Sequence, residues 1–181
     1  MYNNGMEITL KKKIKAVLLV AFVGALLIRV FVVEGFIVKG DSMSPTVLSG
    51  DYVFVNKLAY WHSGPSRGDV VVVIPRNETF KVIKRIIVLP GERFSIENGK
   101  VVIREDRLDE GKTLDEDYVP NDIESPVGIT QARLDPEEYF ALGDNVSVSL
   151  DSRVLGYMDR WDIKGRAFGV FRLNGFKYIG L

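Results

Sequence analysis

The chain has 181 residues, and its mass of 20.3 kDa fits one domain, or one domain with an anchor. Apolar residues make up 46% of the chain and charged residues 27%, which excludes an intrinsically disordered protein. The 24 basic and 24 acidic side chains cancel, so we expect no nucleic-acid partner, because proteins that bind nucleic acids carry excess positive charge. The absence of cysteine excludes disulfides, thiolate metal sites and a cysteine nucleophile.

Histidine occurs once, as His62, which excludes a His-rich metal site. Any Ser-His mechanism would have to use this residue. The surrounding residues 60–65 (YWHSGP) have the composition of a loop, so we predict an exposed side chain without a catalytic role. No metal and no other cofactor is expected.

A lysine-rich stretch at residues 11–15 precedes a long apolar run. Residues 1–35 carry five basic and two acidic side chains, a net charge of +3, and the remainder of the chain carries −3. The apolar run, residues 16–33, contains one charged residue, Arg29, near its far end. A helix of this length rises roughly 27 Å, which nearly spans a bilayer core of about 30 Å. At that depth a long arginine side chain reaches the headgroups.

Three interpretations of this run compete. A cleavable signal peptide would end in a small-x-small site, and the run instead continues through Val38 without one. A buried core helix would have a polar face, and residues 16–28 have none. We therefore predict an uncleaved transmembrane anchor at 16–33. The positive-inside rule then places residues 1–15 in the cytoplasm and residues 34–181 on the outer side.

Short β-branched segments separated by turns follow the anchor. Helical periodicity is weak there, so we predict an all-β fold, an antiparallel β-sheet domain with a small β/loop insertion at about 92–138. The sequence Asn98-Gly99 predicts a hairpin, and the acid-rich residues 104–126 predict a solvated surface loop. The predicted strands are 35–40, 52–57, 70–74, 81–89, 93–96, 100–104, 139–142 and 167–172.

Two polar residues lie where chemistry is possible. Ser42 follows Gly40 at the point where the first predicted strand runs into a turn, although a lone serine there is typical of an ordinary turn. Lys84 lies in a strand whose two faces are otherwise apolar, apart from Arg85. Burial would lower the pKa of Lys84 from about 10.4 and make it a base, whereas an extended or ion-paired lysine would have no such role.

A third polar segment, residues 141–153 (ALGDNVSVSLDSR), follows an apolar strand. It lacks the carboxylate spacing of a metal loop, and its density of polar groups suits a hydrogen-bonded support for a site. We expect two carboxylates to neutralise two arginines and a serine to orient the lysine. The expected contacts are Asp144 and Asp151 with Arg85 and Arg153, and Ser149 with Lys84.

Five segments together resemble the bacterial type I signal peptidases, which are membrane-anchored serine proteases with a Ser-Lys dyad. The short chain with a single anchor is similar to the Gram-positive branch. The resemblance implies a bacterial plasma membrane location, with preprotein signal peptides and membrane lipids as partners. In the family's order, the segments are 40–46 (GDSMSPT), 50–53 (GDYV), 67–71 (RGDVV), 84–91 (KRIIVLPG) and 143–153.

The same resemblance implies roles for individual residues. Ser42 would be the nucleophile and Lys84 the general base, with an oxyanion site formed by the Ser42 amide and a neighbouring donor. Some relatives supply that donor from a serine at the position of Gly40, which has no side chain, and Val146 stands where the family usually has arginine. Small residues at substrate positions −1 and −3 would enter pockets lined by Phe36, Val38, Met43, Val53, Val72 and Ile83.

Other functions match part of this pattern. One is a dedicated peptidase for a single secreted or pilin-like substrate, built on the same dyad. Another is a self-cleaving transcriptional repressor, but residues 1–35 contain an apolar span where a DNA-binding domain would be needed. The last is a catalytically inactive membrane-anchored scaffold, for which Val146 is the single supporting feature.

Overall fold

The structure is a computed structural model that describes residues 4–104, 110–120, 122–123 and 128–181, with side chains from Leu10 onwards. The chain begins with one long helix, α1, at Asn4–Phe31. Its segment Leu10–Phe31 has 22 residues, none buried, and is long and apolar enough to cross a membrane. At 1.5 Å per residue this segment rises roughly 33 Å. The helix ends two residues before the predicted boundary, because Val33 already pairs with a strand.

The remaining chain is mostly antiparallel sheet. Within the described residues the strands are β1 Val33–Ile37, β2 Tyr52–Asn56, β3 Val70–Val73, β4 Val82–Val88, β5 Arg93–Glu97, β6 Lys100–Arg104, β7 Lys112–Thr113, β8 Gln131–Arg133, β9 Glu138–Leu142, β10 Met158–Asp159, β11 Ile163–Arg172 and β12 Lys177–Gly180. Eight of them form the main sheet in the order β1-β2-β11-β3-β4-β9-β10, with β12 paired to β11, and four form a second sheet in the order β7-β6-β5-β8. A short helix, α2 (Ser152–Leu155), and a 3₁₀ turn (Arg160–Asp162) lie between β9 and β11. The all-β prediction is confirmed.

The second sheet lies within the predicted insertion at 92–138. Its β5–β6 hairpin turns at Asn98 and Gly99, which both have positive φ (49° and 76°), as a type I′ turn requires. The rings of Phe94 and Phe140 pack with centroids 4.4 Å apart, so the two sheets share one apolar core.

Two sequence predictions are wrong in detail. The first strand covers Val33–Ile37 rather than 35–40, because the backbone at Gly40 adopts a positive φ of 94° that no strand accommodates. The acid-rich stretch is not entirely solvated, since Val119 and Ile123 are 3% and 2% exposed and belong to the core. Residues 105–109, 121 and 124–126 of that stretch lie outside the described residues.

Strand β11 determines how the site is assembled. It lies between the β1–β2 pair and the β3–β4 pair and hydrogen-bonds to both β2 and β3. Ser42 follows β1, and Lys84 lies in β4. The sheet therefore brings together two side chains that are 42 residues apart in sequence.

Candidate active site

Ser42 lies in a closed loop between β1 and β2. Val38 closes the loop through two backbone hydrogen bonds of 2.9 Å, one donated to Asp51 O and one accepted from Gly50 N. Met43 and Val47 hold the loop from within, because their side chains are 1% and 0% exposed. Ser42 is thus fixed at the surface by the buried residues that follow it.

Lys84 is buried and contacts Ser42 directly. It is 2% exposed, and its Nζ donates a hydrogen bond of 2.9 Å to Ser42 Oγ. Burial lowers the pKa of Lys84 from 10.5 to about 8, against the opposing effects of Asp151 and Asp144. Among the described residues no carboxylate forms an ion pair with Lys84, so the solvent-extended and salt-bridged alternatives do not apply.

Arg85, the next residue of β4, forms a bidentate ion pair with Asp144. Nε donates to Oδ1 at 2.8 Å and NH2 donates to Oδ2 at 2.7 Å, and both side chains are nearly buried. Thr46 donates its hydroxyl to the same carboxylate, and NH1 of Arg85 donates to Gly68 O at 2.9 Å. The loop that carries Ser42 is therefore tied to the segment after β9.

The other carboxylate, Asp151, pairs with Arg153. The sequence predicted that the two arginines would be neutralised but left open which carboxylate pairs with which. Arg153 donates to both carboxylate oxygens, at 2.9 and 3.0 Å, and to Val146 O at 2.6 Å. Asp151 is fully buried and also accepts from the amide of Gly143. This network fixes the residues 143–153 as one wall of the site.

Gly143 and Ser149 lie against the nucleophile loop. A Cβ at Gly143 would lie 2.3 Å from both Ser149 Oγ and Ser42 O, and Asn145 N donates to Ser42 O at 3.0 Å. Ser149 Oγ is buried and has no hydrogen-bond partner among the described residues. The expected hydrogen bond from Ser149 to Lys84 is therefore not formed.

Gly40 and the amide of Ser42 are the backbone groups expected at an oxyanion site. Gly40 has a φ of 94°, and no described atom lies within 4 Å of the position that a Cβ would occupy. Its amide donates to Ser49 Oγ at 3.2 Å. The Ser42 amide donates to no backbone acceptor within the described part of the chain, so it is available to a ligand.

A cavity of about 220 Å³ opens beside Ser42 and Lys84. Four of the six residues predicted for the substrate pocket line it: Phe36, Val38, Met43 and Ile83. Val53 and Val72 do not, because they pack beneath these residues in the core, 0% and 2% exposed. The prediction of a pocket lining was wrong for these two valines, since an inward-facing strand residue can be core as readily as wall.

Sequence reasoning missed three groups around Arg85. Thr46, the carbonyl of Gly68 and the ring of Tyr118, whose centroid lies 5.4 Å from the guanidinium, come from three separate segments. No spacing in the sequence connects them. Tyr118 in particular lies in the stretch predicted to be solvated.

His62 lies outside this arrangement. It is exposed in the loop between β2 and β3, as predicted. The described residues contain no group of three His, Asp or Glu side chains placed to hold a metal ion.

The family model for "Signal peptidase, peptidase S26" matches residues 10–172. The chain belongs to this signal peptidase family. As a member it is a serine endopeptidase, and the match begins in α1 and includes both halves of the candidate site.

Individual signal peptidases are similar over nearly the whole chain. The probable signal peptidase I-1 of Synechocystis is 36% identical over 174 residues, which cover 90% of this chain and 84% of the relative. Signal peptidase I U of Bacillus subtilis is 33% identical, with 93% and 94% covered. A crystal structure of a signal peptidase I from Enterococcus faecalis is 26% identical and superimposes with a TM-score of 0.45, covering 56% of this chain and 95% of the other.

Proposed function

We propose that this chain is a membrane-anchored endopeptidase that removes signal peptides from exported preproteins, with Ser42 as nucleophile and Lys84 as general base. One observation carries the assignment. A fully buried lysine amine, with its pKa lowered to about 8, lies 2.9 Å from the Ser42 hydroxyl. A base whose pKa lies near the working pH is partly neutral at that pH and still accepts a proton readily.

The reaction follows acyl-transfer chemistry. The neutral amine of Lys84 accepts the Ser42 proton while Ser42 Oγ attacks the scissile carbonyl carbon, and the oxyanion accepts a hydrogen bond from the Ser42 amide. The Lys84 ammonium then donates its proton to the leaving amine, which departs as the new N-terminus of the mature protein. Lys84 next accepts a proton from the water that attacks the acyl carbon. As the bond from that carbon to Ser42 Oγ breaks, the Lys84 ammonium returns the proton to Ser42 Oγ. The signal peptide is released as a carboxylic acid, which loses its proton to solvent.

The cavity beside the dyad supports the substrate assignment. It has a volume of about 220 Å³, and Phe36, Val38, Met43 and Ile83 are among the residues that line it. We propose that it receives the small side chains at substrate positions −1 and −3. Arg85 and Asp144 act as positioning residues, because their ion pair joins β4 to the wall at 143–153 and Thr46 of the nucleophile loop donates to the same carboxylate. Asp151 and Arg153 act as positioning residues because their ion pair holds that wall together.

The exposed apolar helix supports the anchor. We propose a cytoplasmic segment at 1–15 and an anchor at 16–33, most of which lies in the exposed apolar helix. The peptidase domain at 34–181 then lies on the outer side of the bacterial plasma membrane, in contact with its lipids. Protease added to intact spheroplasts should digest the domain beyond residue 35. Full protection of that domain, with digestion only after lysis, would contradict this orientation.

Turnover of a preprotein tests the dyad. Ser42→Ala should abolish cleavage, whereas Ser44→Ala, a matched serine two residues away, should retain most of it. An active Ser42→Ala enzyme would contradict the assignment, and an inactive wild-type enzyme would favour the scaffold. A dedicated peptidase would cleave a single preprotein out of a panel of unrelated ones.

A further inference from the structure

The second sheet has one face in the core and one face turned outwards. Its inward side chains, which include Phe94, Ile96 and Ala132, belong to the apolar core shared with β9. Successive residues of a strand point to opposite faces, so the alternate residues of β5, β6 and β8 lie on the outward face. We call this outward side the arginine face. Its polar and charged side chains are Arg93, Ser95, Glu97, Arg104, Gln131 and Arg133.

Three arginines form a row across the arginine face. Arg93 on the central strand β5 is the Cα partner of both Arg104 on β6 and Arg133 on β8. Neighbouring strands lie about 4.8 Å apart, and like charges directly opposite one another destabilise a sheet. The row therefore costs folding free energy, and this cost falls when an anion lies over the arginines.

One of the three arginines is already neutralised. Arg104 NH2 donates to Glu97 Oε1 at 2.7 Å, and Arg104 NH1 donates to the hydroxyl of Ser95, which in turn donates to Glu97 at 2.6 Å. Arg93 and Arg133 form no ion pair with any described residue. Two guanidinium groups on adjacent strands thus have donors available to a ligand.

A cavity of about 540 Å³ lies on the arginine face. Ligand sites commonly have volumes of about 300–1,000 Å³. Guanidinium, hydroxyl and amide groups line this cavity, from Arg93, Ser95 and Gln131 among others. The one carboxylate among its described lining residues, Glu97, is paired with Arg104. The cavity is therefore suited to an anion.

The unpaired guanidinium groups favour phosphate over carboxylate as that anion. A guanidinium binds either group through two parallel hydrogen bonds, and a carboxylate has two oxygens for this purpose. A terminal phosphate has three such oxygens and a charge closer to −2 than to −1. It is therefore better suited than a carboxylate to accept hydrogen bonds from Arg93 and Arg133 together.

We infer that the arginine face binds a terminal phosphate group of a water-soluble ligand, held between Arg93 and Arg133 with Gln131 beside it. The second sheet packs against β9, which is five strands from β1 in the order of the main sheet. Because α1 leads into β1, we assign the phosphate to a soluble molecule rather than to a lipid headgroup. The site is separate from the dyad, since the described residues that line it include none that line the cavity beside Ser42 and Lys84.

Calorimetric titration of the full chain in detergent with inorganic tripolyphosphate tests the site. At low ionic strength the titration should show saturable binding, and Arg93→Gln should weaken it at least about tenfold because charge-assisted hydrogen bonds are lost. The matched control is Arg76→Gln, at an exposed arginine after β3, which should keep the dissociation constant within about twofold. Absence of binding by the wild-type chain, or equal binding by the Arg93→Gln variant, would overturn the inference.

Two competing ligands test the chemistry and the source of the phosphate. Citrate carries its charge on carboxylates and should bind at least about tenfold more weakly than tripolyphosphate. Equal binding of citrate would overturn the preference for phosphate. Phosphatidylglycerol added to the detergent micelles should not displace tripolyphosphate, and displacement would overturn the assignment to a water-soluble ligand.

Thermal unfolding distinguishes a ligand site from a structural role of Arg93. Without ligand, Arg93→Gln should raise Tm by about 1–3 °C at low ionic strength, because the variant removes two opposed pairs of like charges. Tripolyphosphate should raise the Tm of the wild-type chain but not that of the variant. A lower Tm of the variant without ligand would show that Arg93 stabilises the sheet itself, and it would overturn the inference.

A second variant should change the affinity in the opposite direction. Glu97→Gln removes the carboxylate that lines the cavity and releases Arg104 from its ion pair. Tripolyphosphate should then bind at least about threefold more tightly, since a third guanidinium is available to it. Unchanged or weaker binding by this variant would overturn the placement of the phosphate on the arginine face.

Discussion

The backbone of Gly143 packs directly against the carbonyl oxygen of Ser42. A Cβ at position 143 would lie 2.3 Å from that oxygen and from Ser149 Oγ, closer than non-bonded atoms approach. The position of the nucleophile thus depends on a residue that has no side chain and lies about a hundred residues further along the chain.

Gly143→Ala should consequently lower kcat by about a hundredfold, the effect of misplacing a reacting group by about 1 Å. The control is Gly180→Ala, since no described atom lies within 4 Å of the added methyl group there. Turnover of a preprotein substrate by the two variants, with circular dichroism to confirm folding, measures the difference. Wild-type activity in Gly143→Ala would show that the Ser42 loop accommodates the methyl group.

The pH dependence of kcat/KM should follow the titration of Lys84. Its pKa is lowered to about 8 by burial, and the base acts only when it is neutral, so activity should be lost as pH falls through 8 and level off above it. Lys84→Arg should retain less than about a tenth of wild-type kcat, because the guanidinium stays protonated. A tenfold loss corresponds to an increase of about 1.4 kcal/mol in activation free energy. Lys100→Arg, at an exposed position away from the cavity, serves as the control. A pH-independent rate would exclude the general-base role.

Burial of Lys84 should also cost stability at neutral pH. The pKa of Lys84 is lower in the folded state than in the unfolded chain, so the unfolded chain binds the proton more tightly. The resulting loss of folding free energy is complete below pH 8 and disappears above about pH 10.5. A lowering from 10.5 to about 8 corresponds to roughly 3 kcal/mol. Lys84→Met should therefore raise Tm by several degrees at pH 7, and this gain should shrink between pH 8 and 10.

Thermal unfolding in detergent across this pH range measures the effect. Lys100→Met, at an exposed position, should change Tm little and equally at each pH. A Tm gain in Lys84→Met that does not vary with pH would indicate improved packing rather than the removal of a buried amine.

Restoring the family's arginine at position 146 should have little effect. Both oxygens of Asp144 already accept from Arg85, and Thr46 occupies Oδ2 as well, so a new guanidinium finds no unpaired carboxylate there. Val146→Arg should keep kcat within about tenfold of wild type, with a Tm lowered by a few degrees because Val146 packs against the core. A gain above about a hundredfold, roughly 2.7 kcal/mol of barrier, would show that the natural chain is impaired.

Sequence reasoning predicted the elements that depend on local chemistry. The strands β2 to β6 begin and end within two residues of their predicted bounds, because β-branched runs and turn residues such as Asn98-Gly99 are local signals. The polar segment after β9 predicted that Asp144 and Asp151 would neutralise Arg85 and Arg153, but which carboxylate pairs with which arginine was left open. Short strands such as β7, β10 and β12 were missed, because two to four residues carry no clear alternation.

Features that depend on tertiary packing could not be predicted. Val119 and Ile123 lie in an acid-rich stretch and are buried all the same, because the second sheet offers an apolar face that the local composition does not reveal. Ser149 is brought to the nucleophile loop, as expected, but without the hydrogen bond to Lys84. Whether Val53 and Val72 line the cavity or lie in the core likewise depends on which residues pack over their strands.

The position of β11 between the two halves of the dyad has a consequence for biosynthesis. Strands β1 and β2 flank Ser42, and strands β3 and β4 form the pair that carries Lys84. In the main sheet of the described residues, these two pairs are joined only through β11. With the proposed topology residues 34–181 cross the membrane in order from the anchor, so residues 163–172 cross after both Ser42 and Lys84. We therefore expect the dyad to assemble only after β11 has crossed and has paired with β2 and β3.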